Sequence, residues 1–469
     1  MIALAQKAVT LIYSSAVAWT LMFAVVRVFG NLLILPVALS KLPREELGMW
    51  YWFLSLAGAT ALIDMGFTPT MSRVTSYLWA GAQKVSSMGV EMEDRALADR
   101  PPNYKLLADL VKTMRLYYYG LGFFATSVIA IFGTVWLFEK SQALSSFHTV
   151  VVAWCIFVPA ILVNCVTGVW HPLLNGINEV RLNQQVQVWG LIANYVVVLA
   201  GLLCGAGLYA LALGYFVMGA SSRLLARRKF NVLTHAAEYE AAASWRRDLL
   251  FSLWPTSWRT GLVTLGIYAT LNASILICTA YLGPETTASL GLSSQLALAA
   301  VSLATSFVAV KIPLFAQMHA RGKSREIAPI VFSRMRWFWA VYIGLTLCAA
   351  ALGPKVLHDF LHSNTPLLPL PLLVSLFFII GLEGHHAVFR EITLTSHRNP
   401  FVAPVLISGV LIVVLTLILA HWMGLWGLIL APGLVQLCFN NWWTVVVGLN
   451  SFGATSYDYA RGLIGLKHS

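Results

Sequence analysis

The chain has 469 residues, 58% of them hydrophobic and only 11% charged, with a mean hydropathy of +0.75. Soluble domains carry about a quarter charged residues, so a soluble fold is excluded and the chain reads as an integral membrane protein. The formal charge of +12 would suggest nucleic acid in a soluble protein. Here it has a topological cause, because cytoplasmic loops of membrane proteins gather Lys and Arg, and no nucleic-acid partner is expected.

At the start, Lys7 is followed by an apolar run to about Leu39. That is too long for a signal-peptide core and lacks a small-residue cleavage site, so it is expected to stay as the first span. Spanning a bilayer takes about 20 apolar residues. On that rule twelve spans fall near 12–39, 47–72, 114–138, 148–173, 186–204, 207–226, 250–282, 287–313, 335–354, 367–389, 401–422 and 425–448. The predicted fold is an all-α membrane protein of about 12 transmembrane helices in two six-helix bundles, residues 1–226 and 250–469. A cytoplasmic linker, 227–249, holds RLLARRKF and WRRD.

Orientation follows from counting cations. Outer connections hold Lys41, Arg44, Lys140 and Lys355; Arg27, Arg73, Arg259 and Lys311 lie inside spans. The remaining 23 of the 31 Lys and Arg, Arg223 among them, are assigned to inner loops and tails, which puts both termini in the cytoplasm. The longest loops, about 80–112 and 227–249, are then cytoplasmic. Function is therefore expected within the spans. The corners LPREELGMW (42–50) and LGPETTASLG (282–291) look weakly alike, and repeated halves with binding between them are a common transporter plan. The six cysteines all fall in apolar runs without a CxxC pair, which favours buried structural thiols over a disulfide framework or zinc site.

Charges inside a bilayer are costly, about 2.5–3.5 kcal/mol each on insertion scales, and usually face a cavity and a partner. At 1.5 Å per helical residue, Arg27 lies roughly 20 Å from the outer corner of its hairpin, Asp64 roughly 27 Å and Arg73 roughly 40 Å, while Arg259 and Lys311 each lie roughly 36 Å from theirs. Such a set forms a positive funnel toward the cytoplasmic mouth, where a single-sign cleft concentrates anions. The plainer readings stay open: Arg73 and Lys311 snorkelling to inner headgroups, Arg259 in WPTSWRT as an interfacial anchor, and Asp64 as a structural ion pair with Arg27. Asn31 shares the face of Arg27. In GLEGHHAVFRE (381–391), Glu383 and His386 share a face, either as a proton or cation site or as a satisfied buried carboxylate at a glycine-softened break. Gln436, Asn440, Asn441 and His171 read as helix glue.

The stretches LPREELGMW (42–50), IDMGFTPTMSR (63–73), LLNGINEVRLNQQ (173–185), YLGPETTASLGLSSQL (281–296) and IPLFAQMHARGK (312–323) resemble polysaccharide-biosynthesis flippases of the Wzx type. That family belongs to the multidrug/oligosaccharidyl-lipid/polysaccharide superfamily. The likeness runs in order along nearly the whole chain and thins beyond about residue 325, so Glu383 gains nothing from it. The resemblance implies a V-shaped pair of six-helix bundles in the bacterial inner membrane, open alternately to each side. It implies passage of undecaprenyl-pyrophosphate-linked oligosaccharide to the outer leaflet for exopolysaccharide or O-antigen synthesis, among membrane lipids and beside other polysaccharide-assembly proteins. Arg27, Arg73 and Arg259 stand at places comparable to the family's cavity arginines, whereas Lys311 is added from its depth alone.

No phosphate-binding glycine loop, metal cluster or nucleophile constellation is recognisable, so neither an enzyme nor a cofactor is expected, and coupling to a proton or sodium gradient stays open. A drug/cation antiporter of the same superfamily would be expected to carry an acidic chamber. A glycan polymerase or ligase would need a sizeable outer loop, and a non-transporting scaffold leaves Arg27 without a purpose.

Overall fold

The computed structural model describes residues 16–60, 64, 66–83, 101–140, 142, 144–235, 238–239, 242–396 and 400–465. Lys7, the first residues of span one, both chain ends and the loop cations Lys84, Arg95, Arg100, Arg398 and Lys467 lie outside the described residues. Among the described residues the regular structure is helical. In chain order the helices are α1 (Ala16–Lys41), α2 (Arg44–Gly58), α3 (Phe67–Trp79), α4 (Tyr104–Lys140), α5 (Phe147–Val166), α6 (Trp170–Gly176), α7 (Val180–Leu203), α8 (Gly207–Leu233), α9 (Arg247–Leu282), α10 (Pro284–Ala309), α11 (Ile312–Ala320), α12 (Ile327–Lys355), α13 (Leu370–Leu394), α14 (Val402–Met423), α15 (Leu425–Val435), α16 (Asn441–Ser451) and α17 (Ser456–Leu463).

Nine described helical stretches are long and apolar enough to cross a membrane, and the bent pair Ser257–Thr270 with Asn272–Leu282 makes a tenth. The count falls short of twelve because two expected spans are interrupted. The 47–72 span breaks into α2 and α3 around Gly66, whose φ of 72° belongs to the left-handed region that glycine enters without a Cβ penalty. The 425–448 span passes through a π-helical turn, Gln436–Asn440, between α15 and α16. Both spans look continuous by hydropathy alone, which cannot register a broken backbone ladder.

The chain forms two compact units, one from residues up to Leu42 with Leu56–Thr264, the other from Pro43–Ser55 with Leu265 onward. This border differs from a division at 226 and 250: α2 is given up to the second unit, and the first part of α9 belongs to the first. The stretch expected as a linker is instead built into the first unit. There α8 runs on to Leu233, and residues 243–246 are tied to α4 through Asp109, Lys112 and Thr113.

In the first unit, Phe67, Met71 and Val74 of α3 are fully packed with Trp170, Leu173 and Leu174 of α6 and with Leu249 and Leu253 of α9. Small residues let α7 and α8 approach closely: a Cβ on Gly190 would meet the Ser222 side chain and one on Gly201 the Ala210 methyl. Close packing is what holds helices together where lipid offers no hydrophobic gain.

In the second unit, α2 crosses α10. Tyr51 donates to Gln295 at 2.7 Å, Arg44 to Ser289 at 3.2 Å, and Arg44 pairs with Glu285 at 3.5 Å. Farther along, Gly266 of α9 and Gly409 of α14 let their backbones touch. Only Cys278 of the six cysteines is buried; Cys155, Cys204, Cys348 and Cys438 are exposed. The expectation of buried thiols fails because an apolar run in a membrane helix also covers the lipid-facing side.

Candidate functional site

Arg27, Arg73 and Arg259 all lie in the first unit, and all three are exposed. Arg27 sits on α1 with its guanidinium 5.7 Å from the Phe23 ring centroid, and Arg259 on α9 lies 5.8 Å from that of Trp258. Such stacking favours a cation by about 0.5–1 kcal/mol at exposed sites and leaves the guanidinium donors free for an anion. Among the described residues, no carboxylate of this unit lies within ion-pair distance of the three arginines.

The face of α1 that carries Arg27 also carries Gly30 and Asn31, and Tyr195 of α7 lies across it. The Tyr195 hydroxyl reaches the Arg27 carbonyl at 3.1 Å and Asn31 Oδ1 at 3.4 Å. A Cβ on Gly30 would fall 1.9 Å from the Tyr195 ring, so the glycine permits this approach. Arg27 and Asn31 thus share one surface, as their spacing predicts.

Asp64 takes other partners than Arg27. Its carboxylate accepts from the Thr68 backbone N–H at 3.1 Å, from the Thr68 hydroxyl at 2.8 Å, and from the Tyr118 hydroxyl of α4. It therefore caps the start of α3 where span two breaks, satisfying a backbone donor that a helix start leaves unpaired. The ion pair expected with Arg27 is corrected accordingly. The same break adjoins the arginine-bearing part of α9. Phe67 packs 6.1 Å from Trp254, and a Cβ on Gly66 would strike the Ser257 carbonyl at 2.5 Å.

Lys311 belongs to the second unit, half-buried at the start of α11. Glu383 and His386 meet there with Nε2 to Oε1 at 3.4 Å, the imidazole almost fully buried. The other ring nitrogen, Nδ1, faces Asn441 Oδ1 at 2.8 Å. Both nitrogens therefore point at oxygens. Next to His386, His385 Nε2 lies 2.7 Å from the Tyr459 hydroxyl, and Asn440 donates to Ser408 at 2.8 Å. Three of the four residues read as helix glue join helices: Asn440 reaches Ser408 of α14, Asn441 binds α16 to α13, and His171 meets Asn183 of α7 at 2.6 Å, whereas the buried Gln436 Oε1 has no hydrogen-bond partner.

One residue escaped the reading of the sequence. Arg223, assigned to an inner loop, lies inside α8, and its Nε is enclosed without a hydrogen-bond partner. His171, Cys165 and Tyr215 are within its electrostatic reach. The signal was present: counted from Gly207, Arg223 comes out roughly 24 Å down, as deep as Arg27.

Neither family models nor curated protein sequences match the chain. Solved structures do. An inward-facing multidrug resistance MATE family transporter of the MOP superfamily aligns over 93% of this chain and 98% of its own, with a TM-score of 0.56 at 10% identity. A MOP superfamily transporter from Pyrococcus furiosus, for which a reversed binding-pocket polarity suggests a different function, aligns over 98% and 99% with a TM-score of 0.57 at 12% identity. The lipid II flippase MurJ in an inward closed conformation covers 95% and 90% with a TM-score of 0.54 at 12% identity. At these identities the likeness shows a shared fold and nothing finer.

Proposed function

We propose that the protein is a flippase that carries an undecaprenyl-pyrophosphate-linked oligosaccharide from the cytoplasmic to the outer leaflet of the bacterial inner membrane. The observation that carries this reading is the set Arg27, Arg73 and Arg259, three exposed arginines in one unit of an apolar chain with, among the described residues, no carboxylate within ion-pair distance. A membrane protein keeps such uncompensated charge where a ligand supplies the counter-charge. A diphosphate does so with charge-assisted hydrogen bonds, the strong kind for guanidinium groups. Asn31 adds a neutral donor beside Arg27, and Lys311 is a further cation for the same cargo. The prenyl chain stays in lipid, and no covalent bond is made or broken.

The fold supports transport as such, and it is shared by a lipid II flippase and by multidrug transporters. A drug/cation antiporter is therefore the second reading. It would need carboxylates to hold a cationic drug, but Asp64 is engaged by Thr68 and Tyr118 and Glu383 faces His386. The Glu383–His386 pair, a carboxyl group beside an imidazole at 3.4 Å, suits a proton-coupling step better than the holding of a cationic drug.

The test is deletion of the gene followed by measurement of lipid-linked oligosaccharide in each leaflet. Accumulation in the inner leaflet is expected; unchanged glycan export with altered drug resistance would establish the antiporter instead. Within that assay, Arg27→Ala should lower export about tenfold or more, the loss of a hydrogen bond to a charged group being about 1.5–3 kcal/mol, with membrane insertion intact.

A further inference from the structure

We propose that the first unit holds a small inorganic anion of the halide class against Arg223 of α8. Arg223 is half-buried and lies roughly 24 Å along its helix from Gly207, a depth at which an unpaired charge is costly. It is none of the arginines assigned to the cargo.

The helices around Arg223 offer no counter-charge. α8 packs against α5, α6 and α7, and from Phe147 to His235 the chain carries one carboxylate, Glu179. Among the described residues neither Glu179 nor any other acid comes within ion-pair distance of Arg223. The acids of α4, Asp109 and Glu139, lie toward its two ends. One turn further along, α8 adds a second cation, Arg227, stacked 5.5 Å from the Trp170 ring centroid. Within electrostatic reach of Arg223 are Cys165 of α5, His171 of α6 and Tyr215 of α8. A thiol, an imidazole and a phenol carry no formal negative charge at neutral pH.

Donors without acceptors mark the same place. Arg223 Nε is enclosed and has no hydrogen-bond partner, and neither has the enclosed hydroxyl of Thr126. Thr126 of α4 adjoins Cys165, which is also beside Arg223. Buried polar groups left in that condition point to a water or an ion. A water satisfies donors and leaves the arginine's charge uncancelled; an anion answers both, with charge-assisted hydrogen bonds. Packing sets the size. One turn before Arg223, a Cβ on Gly219 would fall 2.6 Å from the Asn164 amide of α5. At the neighbouring residue, a Cβ on Gly190 of α7 would fall 2.8 Å from the Ser222 side chain. Helices drawn this close suit a single-atom ion and not a prenyl diphosphate.

The experiment uses the full chain purified in a neutral detergent and sodium gluconate. Its thermal unfolding is titrated with sodium chloride, sodium bromide or inorganic pyrophosphate at constant ionic strength. Chloride and bromide should each raise the unfolding temperature, and saturably. R223Q should lose that response, and T126V should raise the half-saturating concentration about tenfold, as the loss of a hydrogen bond to a charged group does. R228Q removes an exposed charge from the same helix, and should shift the half-saturating concentration by about twofold at most, because exposed charges are screened. Diffraction at the bromide absorption edge keeps the test decisive if R223Q folds poorly: an anomalous peak is expected within hydrogen-bond distance of the Arg223 guanidinium. The proposal is overturned if halides leave the unfolding temperature unchanged, if R228Q loses the response as R223Q does, if pyrophosphate reproduces it, or if bromide binds elsewhere.

Discussion

At Gly30 a single missing methyl group decides whether Arg27 and Asn31 can share a surface with Tyr195. Gly30→Ala places a carbon 1.9 Å from the ring, and displacing a packed aromatic costs about 1–3 kcal/mol. A lower unfolding temperature is expected, recovered in large part by Y195A in the same chain; failure of that recovery would place the clash elsewhere. Asp64 makes a second residue-scale case. Asp64→Ala removes a cap, about 1 kcal/mol, and leaves the buried Tyr118 hydroxyl only a long 3.5 Å contact with the Thr68 hydroxyl, about 1–3 kcal/mol more. Tyr118→Phe removes only the one hydrogen bond, so thermal unfolding should fall further for Asp64→Ala; equal losses would mean that the carboxylate does not cap α3. Charge and spacing make Arg27, Asn31 and Asp64 conspicuous in the sequence. The identity of a partner such as Tyr118, fifty-four residues away, is fixed by tertiary packing and cannot be read from spacing.

Among elements, the crossing of α2 and α10 explains why the corners LPREELGMW and LGPETTASLG look alike. The two segments pack on one another in the second unit, Arg44 pairing with Glu285 one position after each proline. Each supplies a glycine beneath the other: Gly48 lies under the Pro284 backbone and Gly291 under the Tyr51 ring. A methyl group on Gly48 would sit 1.8 Å from the Pro284 carbonyl oxygen, and backbone cannot swing aside as a side chain can. Gly48→Ala should therefore cut the yield of folded protein, measured by detergent size-exclusion chromatography, more than Gly291→Ala; the reverse order would mean that Tyr51 and not the backbone limits the approach. The Arg44–Glu285 pair, half-buried on one side and exposed on the other, contributes about 0–1 kcal/mol and is not what holds the crossing. Hydropathy located most spans but treated 47–72 and 425–448 as unbroken. It reports composition along the chain, whereas a break depends on a cap such as Asp64, a left-handed glycine such as Gly66, or a π-turn.

Over the whole molecule, the three candidate cargo arginines and the candidate coupling pair fall in different units. Arg27, Arg73 and Arg259, which have no carboxylate within ion-pair distance among the described residues, stand in one unit, and the Glu383–His386 pair stands in the other. That division was hidden in the sequence, because Arg259 follows the apparent midpoint of the chain yet folds with the first unit. On the flippase reading the two groups have separable tasks: the arginines hold the cargo, and the pair takes up and releases a proton. Glu383→Gln makes the separation measurable. The amide cannot share the proton with His386, but it keeps the shape of the side chain and leaves every arginine untouched. Binding of a pyrophosphate-bearing prenyl lipid to the purified variant should stay within about twofold of the parent. Transport in vesicles should lose its response to an imposed pH gradient, whereas Arg259→Gln should weaken binding about tenfold and leave the shape of the pH response unchanged. If Glu383→Gln transports with an intact response to the gradient, the pair merely orients His386 toward Asn441 of α16, and the driving force must enter elsewhere.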